Sequence, residues 1–180
     1  CALPILLEGA GQEPVITPRV VCLTSNLDRL GEAETVVYWS GLGLHEQLLL
    51  AWLVIAFDHR GFDHAKLRVV QFEEACPGEP AWRMAIVRAE TLRNRRPEPK
   101  RLDAEQLAEL RRAWQAYTSD DPADLVAFLA APKALPHLHQ AMRRLIHRYP
   151  DRHSGLSLWD EWLLEGAGQE PVITPRVVCL

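Results

Sequence analysis

Five residues in one short stretch, Ser40, Gly41, Gly43, His45 and Glu46, carry the groups that a small-ligand site needs. The two glycines remove side chains, so backbone N–H groups can come close to an anion, and a helix N-terminus just beyond them favours negative charge. Ser40 adds a hydroxyl and Glu46 a carboxylate. His45 is the residue type whose ordinary pKa lets it exchange a proton near neutral pH. Together they point to capture of a small anionic or nucleotide-like ligand. Gly-x-Gly without a third glycine also occurs in ordinary turns, so a plain connection is the alternative reading.

The flanking residues say what must hold that stretch in place. Thr35-Val36-Val37-Tyr38-Trp39 is a β-branched and aromatic run that predicts a buried strand. From about Leu44 to Asp58 the apolar residues cover nearly every side, which predicts a deeply buried helix ending before Gly61. Leu67 to Phe72 reads as a second strand. Strand, helix and strand over this length form a βαβ unit with a parallel pair, and ligands in such sheets bind beyond the carboxyl ends of the strands. The expected fold class is therefore α/β: a partial Rossmann-like parallel sheet over residues 24–80, then an all-helical C-terminal part over 81–180. Glu73 to Pro80 reads as a connection and residues 81–101 as irregular. Asp103 and Gln106 form a capping-box pair ahead of Leu107, Leu110, Trp114 and Tyr117 at helical spacing. Asp121-Pro122 opens another helix, with Leu125, Val126 and Leu129 on its inner face. Leu138, Met142, Leu145, Ile146 and Tyr149 mark a third, stopped by Pro150. Ser157 and Asp160 cap a last helix, with Trp162, Leu163 and Leu164 facing inward.

Other chemistry-bearing residues have simpler readings. Asp58-His59 and Asp63-His64 have ligand types that suit zinc or manganese, but without a third cluster a solvated loop is the reading, and no metal site is expected. Cys76 lies beside Glu73 and Glu74, which raise a thiol pKa rather than activate it. Neither a Gly-x-Ser-x-Gly elbow nor a phosphate-loop lysine motif is present. The spacing of Arg143, Arg144, Arg148 and Arg152 puts Arg144 and Arg148 four apart on one helix face. Such a patch suits nucleic acid or a partner protein; the polar face of an amphipathic helix is the alternative. No reaction and no cofactor follow from these residues.

Composition limits the choices further. The chain has 180 residues, 48% apolar and 24% charged, enough for a packed core and unlike a disordered chain. Its longest apolar run, Leu48 to Phe57, is short of the roughly 20 residues a membrane helix needs. Residues 24–80 carry 4 basic and 9 acidic side chains and residues 81–153 carry 14 and 9, so the middle is mildly basic. Leu6 to Leu23 repeats as Leu163 to Leu180, residue for residue. Nothing between resembles it, so the expectation is that residues 1–23 are an assembly artefact rather than a structural repeat. Cys22 then duplicates Cys179, Cys1 belongs to the same opening, and the independent cysteines are Cys76 and Cys179. That is no disulfide framework and suits a reducing cytoplasm.

The order of several short motifs resembles a bacterial family. Val36-Val37-Tyr38-Trp39, His45-Glu46-Gln47-Leu48 and Val70-Gln71 are similar to the end of domain of unknown function 1835. Leu102-x-x-x-Gln106-Leu107, Trp114, Leu135-Pro136, Arg143-Arg144 and Gly155-Leu156-Ser157 are similar to its C-terminal companion, domain of unknown function 3658. The resemblance spans residues 34–165. It implies a bacterial, intracellular protein with an α/β part followed by a helical part, and it implies no activity. The family's opening strand and Gly/Ser-rich turn have no counterpart here, and Leu158-Trp159 and Asp160 replace the polar residues and glutamate of its closing motif. The leading expectation is thus a cytoplasmic module for a small anionic or nucleotide-like ligand at the turn 40–46. The other is a regulatory or interaction protein that uses the basic helical half on nucleic acid or a partner.

Overall fold

The computed structural model describes residues 6–8, 27–94 and 97–167. Most of the expected artefact, and the repeat beyond residue 167, therefore lie outside the described residues. The fold is mixed α/β, with seven α-helices among the described residues and a small mixed sheet. The sheet has the order β1-β2-β3-β6. At its centre β2 (Thr35–Ser40) and β3 (Leu67–Gln71) run parallel, Val36 opposite Leu67 through to Ser40 opposite Gln71. The outer strands β1 (Leu6–Glu8) and β6 (Lys100–Arg101) pair antiparallel to them. A single parallel pair flanked by antiparallel edges is less than the expected Rossmann-like sheet.

The central pair forms because Val36, Val37, Tyr38, Leu67 and Val70 are all buried. α2 (Leu44–Arg60) connects the two strands, and nine of its residues are buried, as its all-round apolar pattern implies. It stops at Gly61, whose φ of 65° is the left-handed cap that glycine supplies without a Cβ clash. Glu74–Cys76 (β4) and Glu79–Pro80 (β5) form a hairpin where a connection was expected.

The second half is not wholly helical, because it contributes β6 to the main sheet. α1 (Leu27–Glu32) and α3 (Ala89–Asn94) are short. α4 (Ala104–Thr118), α5 (Pro122–Ala130) and α6 (Pro136–Ile146) pack with α2 around one core that joins Leu53, Val54 and Phe57 to Leu110, Phe128, Leu138 and Met142. Asp103 and Gln106 make the expected reciprocal capping box. Several inner faces differ from expectation. α4 turns Glu109, Leu110, Ala113 and Ala116 inward and leaves Tyr117 exposed. In α5 Phe128 joins Leu125 inside, and Val126 points to solvent. α6 ends at Ile146, leaving Tyr149 exposed beyond it.

The last helix, α7 (Leu158–Ala167), begins where Ser157 and Asp160 place it: the Asp160 N–H donates to Ser157 Oγ, and Ser157 N–H and Oγ–H donate to Asp160 Oδ2. Its apolar side chains do not face inward. Trp159, Trp162, Leu163 and Leu164 are all exposed, and α7 belongs to none of the extensively packed element pairs among the described residues. No described helix is long and apolar enough to cross a membrane.

Candidate functional site

The turn between β2 and α2 is built by hydrogen bonds that start from Glu46. This residue lies in the first turn of α2 and is buried. Its Oε2 accepts the Gly41 N–H, and its Oε1 accepts the Met84 N–H at 2.6 Å. Burial pushes its carboxyl pKa up, and the two amides and nearby Arg83 oppose that rise. The Tyr38 hydroxyl donates to the Glu46 carbonyl oxygen at 2.6 Å, and burial raises the phenol pKa as well. The Leu42 N–H is taken by the Ala81 carbonyl at 2.7 Å. Segment 81–84 therefore lies directly on the turn. A Cβ on Gly41 would collide with the Ala81 carbonyl oxygen, and one on Gly43 with that of Trp82.

This changes the meaning of the residues singled out in the sequence. The glycines do allow close backbone approach, but the approaching group is the chain's own segment 81–84. Gly41 N–H, one of the amides that could meet an external anion, already meets the Glu46 carboxylate. Ser40 is fully buried and Ser40 Oγ donates to the Gly41 carbonyl. His45 is exposed and is not among the residues that line the cleft beside the turn. The structure thus brings Ser40, Gly41 and Glu46 together and leaves His45 outside.

The open space lies immediately beside this turn. A cleft of about 580 Å³ opens at the carboxyl end of β3, between β6, the start of α4 and the start of α6. Leu50, Val69, Leu102 and Leu135 give it apolar walls, and Gln47 of α2 and Gln71 at the end of β3 line it beside the turn. Gln47 is only 3% exposed. Its Nε2 has two hydrogens to share among three acceptors, Ser40 Oγ at 3.0 Å, the Gly41 carbonyl at 2.7 Å and Gln71 Oε1 at 3.1 Å. Gln71 Nε2 in turn donates to the Ser40 and Phe72 carbonyls. Among the described residues every hydrogen bond of the Gln47 side chain runs through its nitrogen, which leaves Oε1 as an acceptor. The rim is charged with both signs: Lys100 and Arg101 against Glu73, Glu74 and Glu98, with His137 Nε2 3.1 Å from Glu73 Oε1.

One wall of the cleft is held from behind by Glu109. This carboxylate is fully buried, and its Oε2 accepts the N–H groups of Ala134 and Leu135 at 2.5 and 3.1 Å. His139 Nε2 lies 3.0 Å from Glu109 Oε1 but is poorly aligned for a hydrogen bond, and among the described residues neither ring nitrogen has another partner. Burial lowers the His139 pKa more than the Glu109 charge raises it. The imidazole stacks on Phe128 at 4.6 Å, and the Ala134 and Leu135 amides ahead of α6 are the hydrogen-bond donors that Glu109 has among the described residues.

Gln47 and Gln71 were not among the residues picked out for chemistry. The available signal was a glutamine, Gln47, next to Glu46 on a helix apolar on nearly every side, since a buried polar group requires partners.

The remaining candidates are structural. Asp58 and His64 are not on a solvated loop: Arg111 of α4 grips Asp58 with two bonds of 2.7 Å, and His64 Nε2 lies 2.7 Å from Asp58 Oδ1. Among the described residues no group of three or more His, Cys, Asp or Glu is placed to hold a metal. Cys76 Sγ–H donates to Glu79 at 2.9 Å, and that bond raises the thiol pKa. Arg144 and Arg148 do not share a helix face, because α6 stops at Ile146 and Arg148 and Arg152 lie beyond it. Arg144 instead lies over the Trp82 ring, 4.1 Å from its centroid. No family model, curated protein or solved structure matches this chain.

Proposed function

We propose that the chain is a binding module for a small nucleotide-like ligand, held in the cleft at the carboxyl end of β3 rather than on the amides of the turn 40–46. The observation that carries this reading is Gln47. It is buried and lines the cleft, its nitrogen is shared among Ser40, Gly41 and Gln71, and among the described residues its carbonyl oxygen has no donor. An acceptor held this rigidly between apolar walls suits the N–H edge of a planar ring. Leu50, Val69, Leu102 and Leu135 would sandwich the ring, and Lys100 and Arg101 would meet a phosphate at the rim. The motif order over residues 34–165 supports placing the chain with domain of unknown function 1835 and its companion, a family consistent with a bacterial, cytoplasmic protein.

Calorimetric titration with nucleosides and their monophosphates tests the reading. Binding is expected for at least one base, with Leu135→Trp abolishing it by filling the cleft. Replacing Lys100 and Arg101 by Ala should weaken the monophosphate more than the nucleoside. Binding that survives Leu135→Trp, or a full panel with no heat of binding, refutes the cleft as the site.

A further inference from the structure

We propose that α7 of one copy docks on the basic end of α6 of a second copy, and reciprocally, so that the chain forms a two-fold dimer. α7 carries Trp159, Trp162 and Leu163 at helical spacing, exposed to 45%, 48% and 40%, with the two indoles in edge-to-face contact at 5.5 Å. None of its residues is buried. Large apolar side chains clustered on one exposed helix mark an interaction surface, and tryptophan is the residue type most enriched where binding energy concentrates.

Charge selects the occupant. α7 carries Asp160, Glu161 and Glu165 and no basic residue. The end of α6 and the turn after it expose Ile146 and Tyr149 among Arg143, Arg148 and Arg152. None of these three arginines pairs with a carboxylate among the described residues, whereas Arg144 is committed to Trp82. An apolar stripe edged with acids thus has, on the same molecule, an apolar patch edged with unpaired bases. The two surfaces adjoin, since the Leu158 N–H at the start of α7 donates to the His147 carbonyl at the end of α6, 3.0 Å away. Within one chain the connection 147–157, closed by Asp151 N–H to the Leu156 carbonyl at 2.8 Å, leaves the Trp pair uncovered. One two-fold axis beside this junction lays each α7 across the other copy's α6 end and satisfies both surfaces at once, as an isologous interface requires.

Sedimentation velocity on the full chain at increasing concentration, with charge-reversed variants, tests this. The wild type is expected to dimerise, and Trp162→Ala to weaken the dimer by about tenfold or more. A Glu161→Lys/Glu165→Lys variant and an Arg148→Glu/Arg152→Glu variant should each be monomeric, because like charges then face each other across the axis. Mixing the two should restore a dimer containing one of each, since both contacts are then opposite in charge. A wild type that stays monomeric, or charge-reversed chains that do not reassemble on mixing, overturns the proposal. Retention of a wild-type monomer on DNA through Arg143, Arg148 and Arg152 overturns it in favour of nucleic acid.

Discussion

Glu46 accepts a hydrogen bond from the backbone N–H of Met84 at 2.6 Å, across 38 residues of sequence. A side chain in the first turn of α2 therefore fastens segment 81–84 onto the end of the parallel strand pair. The same carboxylate binds Gly41, so one buried acid closes the turn from both sides. In effect the protein supplies its own anion where a ligand anion was expected.

Glu46→Gln tests that fastening. The carboxylate accepts with both oxygens, whereas a carboxamide accepts with one and would point its NH2 at the other amide. Leaving one buried amide unpaired costs about 1–3 kcal/mol, so urea unfolding at neutral pH should show a loss of that size. The pH dependence has a definite sign. The folded pKa of Glu46 lies above 4.5, so the folded state holds this proton more tightly. The contribution to stability is fully present below pH 4.5 and is lost as pH rises through the folded pKa. Glu46→Gln should remove that part of the slope.

Gly43→Ala probes the same contact through shape alone. The new methyl would collide with the Trp82 carbonyl, and Trp82 also carries Arg144 on its ring face. Overpacking of this kind costs about 1–3 kcal/mol. Trp82 fluorescence should shift with it as the segment lifts from the turn. An unchanged unfolding midpoint would show that segment 81–84 does not depend on this approach.

How much of this was legible depended on whether the partners were local. The β-branched run 35–39 and the all-round apolar helix after it are local signals, and both appear where expected as β2 and α2. Capping by Asp103 with Gln106, and by Ser157 with Asp160, is local too. Glu109 was not legible as an inner-face residue, because the amides that make its burial tolerable belong to Ala134 and Leu135 in another segment. β6 is two charged residues, Lys100 and Arg101, that count as strand only because β3 pairs with them. The outward turn of Trp162 and Leu164 escaped notice because helical spacing shows an apolar stripe and not what covers it. The cleft joins β3, β6, α2, α4 and α6, and no stretch of sequence contains it.

Glu109 and His139 should differ sharply when replaced one at a time. Glu109→Leu leaves the Ala134 and Leu135 amides without their acceptor, a loss of about 3 kcal/mol or more for a buried charged group serving two donors. His139→Leu removes a ring whose nitrogens make no well-aligned hydrogen bond among the described residues, so the cost should be clearly smaller. The lowered pKa of His139 means that the unfolded chain takes up this proton first as pH falls. Stability should therefore drop below about pH 6.5 in the wild type, and His139→Leu should flatten that drop. Equal costs for the two replacements would show instead that the imidazole carries a charge that Glu109 balances.

At the opposite end of α2, Asp58 is expected to contribute to the acid limb of stability. Arg111 and His64 hold its carboxyl down to about 2, against 3.8 for the free group. The unfolded chain therefore binds this proton at a higher pH than the folded one. The stabilisation is complete above pH 3.8 and disappears as pH falls through about 2. Because Asp58 is about a third exposed, solvent and salt screen the contact. Asp58→Asn should flatten the stability curve between these two pH values, and added salt should shrink the difference from wild type. Arg111→Gln should reproduce much of the flattening, since the bidentate bond to Arg111 is the largest influence on Asp58. An Asp58→Asn protein with the wild-type acid limb would assign that limb to other carboxylates and reduce the Asp58–Arg111 pair to a surface contact.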